Sequence, residues 1–197
     1  MATASNKRIG VLTSGGDCPG LNAVIRGVVK SASQAGYECV GFFKGYEGLV
    51  DPVSYVPLNY KNTSGILTQG GPILGPTNKG RFGAKSGVDD RILIEPDLLE
   101  AVQTTVRQLN LSGLICIGGD GSLAVAQQFH EHGIPVVGVP KTIDNDLAET
   151  DITFGFDSAV TTAAQALDRL YSTAEAHLRV MVIELIGQLG AVAGGMP

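Results

Sequence analysis

A chain of 197 residues, 44% of them hydrophobic, has the length for one full domain, or for one domain and a piece of another, and enough apolar side chains to bury a core. Its formal net charge of −5 and scattered basic residues exclude an electrostatic footprint for nucleic acid, and no apolar run approaches the ~20 residues that span a bilayer. Residues 1–8 lack the apolar middle of a signal peptide, so the cytoplasm is the expected compartment.

Residues 7–13 read as a buried strand, and residues 21–35 as a helix with apolar positions Leu21, Val24, Ile25, Val28 and Val29, ended by Gly36. Residues 37–43 are strand-like. The Gly- and Pro-punctuated stretch that follows, to about residue 90, holds only short regular pieces. Pro96 suits a first helical turn, and Leu98, Leu99, Val102, Val106 and Leu109 then keep helical spacing before residues 114–117 return to strand. Residues 123–132 read as a helix closed by Gly133, and residues 135–139 as a strand. Phe156, Val160, Ala163, Ala164, Leu167, Leu170 and Tyr171 mark a long amphipathic helix, and residues 179–185 one more strand. This alternation predicts an α/β fold: a Rossmann-like parallel sheet flanked by helices, with ligands at the carboxyl ends of its strands.

Three loops fall at such ends. The first, Ser14-Gly15-Gly16-Asp17-Cys18-Pro19-Gly20, lacks the GxGxxG spacing of a dinucleotide site, but its glycines let backbone N–H groups approach a phosphate in front of a helix N-terminus. A tight turn with no ligand explains it equally well. In the second, Gly118-Gly119-Asp120-Gly121-Ser122, the glycines free the backbone to wrap a phosphate chain while Asp120 faces a bound cation, the alternative being that Asp120 and Ser122 only cap the next helix. The third, Pro140-Lys141-Thr142-Ile143-Asp144-Asn145-Asp146, carries the strongest signal. In extended backbone Asp144 and Asp146 point the same way, so at least one needs a cation or proton nearby, and a carboxylate beside an acceptor hydroxyl can take its proton during phosphoryl transfer. An Asx-turn with solvated charges is the bland alternative. The three cysteines, Cys18, Cys39 and Cys116, show no metal-ligand spacing and read as reduced and structural. Cys18 has no His or Lys close in sequence to activate it.

With these loops in this order the chain resembles the 6-phosphofructokinase family, of the bacterial phosphofructokinase A type, through TSGGDCPGLNAVIRG, GGDGS, PKTIDND, TFGFDSAV and HLRVMVIELIG. The resemblance implies an ATP-binding α/β domain, incomplete, over 1–139, and the beginning of a second, smaller, substrate-binding α/β domain over 140–197. It implies that Gly16, Gly119, Asp120, Gly121 and Ser122 contact ATP and that Asp120 binds Mg²⁺. Thr142, Ile143 and Asp144 would hold fructose 6-phosphate, with Asp144 as the base on its 1-hydroxyl and Asp146 orienting the site. Arg179 would reach the sugar phosphate of a neighbouring subunit, which implies a homo-oligomer, a tetramer in the family. In pyrophosphate-using relatives an aspartate stands at the position of Gly121 and a lysine at that of Lys141. Gly121 leaves room for a nucleotide, so ATP is the expected donor and pyrophosphate the less favoured one.

Some positions depart from the family pattern. Its Met-Gly-Arg substrate triplet falls on Ile186-Gly187-Gln188, a neutral amide replacing a guanidinium. Its nucleotide-contacting arginine is absent, leaving Lys79 or Arg81 as substitutes. The allosteric cations map to Arg26 and Lys30, with Tyr60 in place of the third. Members of the family are much longer, so a truncated form is expected. Three readings therefore stand: an ATP-dependent 6-phosphofructokinase of glycolysis, a non-catalytic paralogue that binds nucleotide or pairs with a full-length subunit, and a pyrophosphate-dependent phosphofructokinase.

Overall fold

The computed structural model describes residues 7–77, 80–82 and 93–184. Among them six strands form one sheet in the order β3-β2-β1-β4-β5-β6. The strands are β1 (Arg8–Thr13), β2 (Glu38–Phe42), β3 (Tyr55–Leu58), β4 (Leu111–Gly118), β5 (Val136–Thr142) and β6 (Phe154–Gly155). Helices α1 (Leu21–Gln34), α2 (Pro96–Gln108), α3 (Asp120–Glu131) and α4 (Phe156–His177) alternate with them, and a 3-10 turn covers Gly45–Leu49. The α/β architecture expected from the alternation is present.

Strand alternation sends successive side chains to opposite faces, and each face has its own core. Leu12, Val40, Phe42, Leu114 and Cys116 meet Leu99 and Val102 of α2 and Val125, Ala126 and Phe129 of α3. On the other face Val11, Cys39, Leu58 and Ile117 meet Leu21, Ile25 and Val29 of α1, the i, i+4, i+8 stripe read from the sequence. Both α1 and α3 follow a strand, yet they lie on opposite faces. Between β1 and β4 the chain order therefore reverses direction, and a crevice opens at their carboxyl ends. Registers of Thr13 with Ile117 and of Gly118 with Pro140 set the starts of the three loops side by side at that end.

Three expectations are corrected. The sheet is not wholly parallel, because β3 pairs antiparallel with β2 at the edge. Pro57 lies in that strand opposite Val40, and an edge is where a residue without an N–H can stand. Residues 179–184 form no strand: Val180 and Val182 are each 92% exposed, and a strand needs a ladder partner as well as apolar residues. Finally, β5 continues through Lys141 and Thr142, so the opening of the third loop is sheet, not connection.

Candidate active site

The first loop leaves β1 with its backbone already engaged. Ser14 N–H donates to the Ile117 carbonyl at 2.9 Å, which ties the loop to β4, and Gly15 N–H donates to the Thr77 carbonyl at 3.1 Å. Gly16 is exposed, and a Cβ placed there would meet no atom within 4 Å, so the fold leaves open space above it. Its carbonyl accepts a hydrogen bond from Lys141 Nζ at 2.8 Å. Lys141 is only 6% exposed, so this ammonium is held between the first and third loops rather than in solvent. A Cβ on Gly15 would lie 3.7 Å from the same nitrogen and 3.5 Å from Ser122 Oγ, which brings the second loop to the same spot.

In the second loop Gly118 is required by close approach, because a Cβ there would stand 2.4 Å from Ser122 Cβ. α3 starts at Asp120 with Gly119 as its cap residue, and no side chain caps it. Asp120 is exposed in the first turn of that helix, where its carboxylate meets the positive end of the helix dipole. The capping alternative does not describe it. Ser122 is held through its backbone: the buried Tyr46 hydroxyl donates to the Ser122 carbonyl at 2.6 Å. Tyr46 packs edge-on against Phe129 at 5.3 Å between ring centroids, and burial pushes its hydroxyl well above the ordinary pKa of 10.0. It lies in the Gly- and Pro-punctuated stretch in which the sequence shows only short regular pieces, and no local pattern marks it.

In the third loop the backbone is not extended at the two carboxylates. Asp144 N–H donates to Thr142 Oγ1 at 3.0 Å, and that hydroxyl donates to Asp146 Oδ1 at 3.2 Å. The chain turns at Ile143 and Asp144, and Asn145 takes a left-handed φ of 52°. The Thr142 hydroxyl thus competes with extended geometry and wins, so the same-side argument for Asp144 and Asp146 fails, although one hydroxyl holds both the Asp144 backbone N–H and the Asp146 carboxylate.

A bridge at the start of α4 fastens β6 to the first loop. Cys18 Sγ donates to the Phe154 carbonyl at 3.5 Å, and Gly155, at φ 101°, approaches so closely that a Cβ would stand 2.1 Å from that sulfur. Burial pushes the Cys18 thiol above its ordinary 9.0; Lys141 pulls it down, while Asp17 and Asp144 add to the rise. The cation absent from its sequence neighbourhood is present in space, but burial outweighs it and the thiol stays protonated.

Other expected residues lie apart from these contacts. Arg81 pairs with Glu47, Nε to Oε2 at 2.9 Å, with Nη2 donating to the Asp51 carbonyl at 3.5 Å. Arg179 is exposed beyond α4, its N–H donating to Ala174. Arg26 donates to the Thr63 carbonyl and Tyr60 to the Lys30 carbonyl, the latter at 3.4 Å. Lys79, Ile186, Gly187 and Gln188 lie outside the described residues. Among the described residues no helix is long and apolar enough to cross a membrane.

A family model described as Phosphofructokinase matches residues 8–194. The chain is 51% identical over 185 residues to an ATP-dependent 6-phosphofructokinase of Chloroflexus aggregans, covering 94% of this chain and 51% of that protein. It is 47% identical over 182 residues to a pyrophosphate–fructose 6-phosphate 1-phosphotransferase of Amycolatopsis methanolica, covering 92% of this chain and 50% of that protein. Phosphofructokinase from Saccharomyces cerevisiae superposes with a TM-score of 0.78 at 27% identity, over 93% of this chain and 26% of the other. The chain thus spans about half the length of the curated relatives it matches. With three phosphate-suited loops side by side at the switch point of an α/β sheet and this match along nearly its whole length, the chain belongs to the phosphofructokinase family.

Proposed function

We propose that the chain carries the donor site and the proton-accepting base of an ATP-dependent 6-phosphofructokinase, working in the cytoplasm in sugar breakdown. The observation that carries this reading is the convergence of the three loops, with Lys141 Nζ bonded to Gly16 beside Ser122 and with Asp144 in the turn two residues past the end of the same strand. Gly16 and the turn over Gly119, Asp120, Gly121 and Ser122 bind ATP; Thr142, Ile143 and Asp146 hold fructose 6-phosphate. Asp144 accepts the proton of the 1-hydroxyl as its oxygen bonds to the γ-phosphorus, and the bond to the ADP oxygen breaks. Asp120 fits Mg²⁺, being an exposed carboxylate that makes no side-chain cap; the ion, when bound, neutralises charge on the phosphate oxygens. Arg179 and the Ile186-Gly187-Gln188 segment belong to the acceptor side, in a homo-oligomer, and Lys79 and Arg81 to the donor side. On this reading residues 1–139 serve the nucleotide and residues 140–197 begin the sugar-phosphate part.

ADP release measured with fructose 6-phosphate, ATP and Mg²⁺, beside an Asp144→Asn variant, tests the assignment. Loss of a general base lowers kcat by about 10²- to 10⁴-fold. Equal rates in both proteins sink the enzymatic reading and favour a nucleotide-binding chain that pairs with a longer subunit. Pyrophosphate as donor is the second reading. It is favoured by the buried Lys141 ammonium at the loop junction and by the Amycolatopsis relative. Replacing ATP with pyrophosphate in the same assay decides between the donors, and a faster rate with pyrophosphate reverses the preference.

A further inference from the structure

Asn145 and Thr153 are eight residues apart, and neither belongs to the set assigned above to ATP or sugar phosphate. Thr153 is 2% exposed. Its hydroxyl donates to the Thr142 carbonyl at 2.9 Å, and its backbone N–H donates to Asn145 Oδ1, also at 2.9 Å. One buried threonine therefore grips the third loop on both sides of Asp144, at the residue two before it and the residue just after it. The parallel register of Lys141 with Phe154 and of Thr142 with Gly155 holds the two segments alongside one another.

Asn145 is suited to this place in two separate ways. Its φ of 52° is left-handed, which most side chains resist and asparagine tolerates. Its amide oxygen supplies the acceptor without a charge; an aspartate would add a third carboxylate between Asp144 and Asp146. The Asp144 N–H is in turn fixed by Thr142 Oγ1 at 3.0 Å, so backbone and side-chain bonds on both sides leave the Asp144 peptide little freedom to rotate.

We propose that Asn145 and Thr153 form a clamp that positions Asp144, setting the direction of its carboxylate without touching substrate. The proposal rests on the reading of Asp144 as the base. Misplacing a reacting group by about 1 Å costs on the order of 10²-fold in rate, so a loosened clamp shows in kcat.

Thr153→Val keeps the branched shape and deletes the hydroxyl donor, while Thr153→Ser keeps the donor. Asn145→Gly keeps the left-handed backbone and deletes the acceptor. For the wild type and these variants, kcat and KM for ATP are measured together with hydrogen exchange at the Asp144 and β4 amides. The expected result is a kcat lowered by about 10- to 100-fold in Thr153→Val and Asn145→Gly, with KM for ATP unchanged and Thr153→Ser restored toward wild type. The Asp144 amide exchanges faster in the two impaired variants while β4 keeps its protection, which separates loosening from misfolding. Unchanged kcat in both impaired variants overturns the proposal. If the wild type itself shows no turnover, the enzymatic reading has failed separately, and the amide of Asp144 decides: faster exchange in both variants with β4 intact upholds the clamp, and unchanged exchange overturns it.

Discussion

The sheet body and the α4 arm are both amphipathic, yet they end in opposite situations. α1 buries Leu21, Ile25 and Val29 against β1 and β2, and α3 buries Val125, Ala126 and Phe129 against the other face. α4 is 22 residues long with a comparable apolar stripe and has no buried residue; Leu170 is 38% and Tyr171 69% exposed. Beyond it Leu178, Val180 and Val182 are each more than 90% exposed. Periodicity makes a helix two-sided but does not supply the surface that covers its apolar side, and helices of this length owe most of their stability in proteins to such cover. The third loop joins the two regions. It begins in β5 of the body and is braced by β6 at the root of the arm, so the proposed base sits where a well-packed region meets an uncovered one.

Hydrogen exchange offers the strongest break of this contrast. β1 and β4 amides, between two cores, are expected to exchange at least about 10³-fold more slowly than α4 amides, because core strands open only near the global unfolding free energy while an uncovered helix frays locally. Equal protection in α4 means that something covers it in solution. Core truncation comes next. Phe129 is fully buried between Tyr46 and Phe82, and Phe129→Ala is expected to cost about 3–5 kcal/mol in denaturant unfolding, whereas Leu170→Ala stays within about 0.5 kcal/mol. A Leu170→Ala loss as large as that of Phe129→Ala erases the distinction between body and arm.

A pH series sharpens the same comparison at lower amplitude. Cys39 lies in one core and Cys116 in the other, and burial raises their thiols from the ordinary 9.0 to about 11 and about 12. In the unfolded chain both ionise near pH 9 while the folded protein still holds their protons. Stability is therefore full below pH 9 and falls as pH rises toward 11, by up to about 1.4 kcal/mol per pH unit for each thiol. Urea unfolding between pH 8 and 11, compared with the Cys39→Ala, Cys116→Ala double variant, isolates this slope. A slope unchanged in the double variant shows that neither core holds its thiol dry.

Much of the fold was legible because it is written locally. The stripe in α1, Pro96 at the start of α2 and the apolar run of β4 each declare themselves within a dozen residues or so, and the three loops carry their glycines and carboxylates in consecutive positions. Four-residue β3 was hidden by Pro57, and two-residue β6 is too short for any period to show. Residues 179–184 look like a strand by composition and are not one, since apolar content cannot reveal whether a neighbour offers a hydrogen-bonding edge.

By itself the sequence determined the alternation of elements, the glycine loops suited to phosphate, and the pair of carboxylates at 144 and 146, because side-chain period, turn chemistry and titratable groups are properties of short segments. Tertiary structure alone decided which of these groups face one another. The Lys141 ammonium reaches Gly16 across 125 residues, Tyr46 reaches Ser122 across 76, and Thr153 closes on the Asn145 side chain through a backbone N–H that has no signature in composition. Hydrogen bonds act over about 3 Å in space whatever the distance along the chain, so only the folded sheet could settle those pairings.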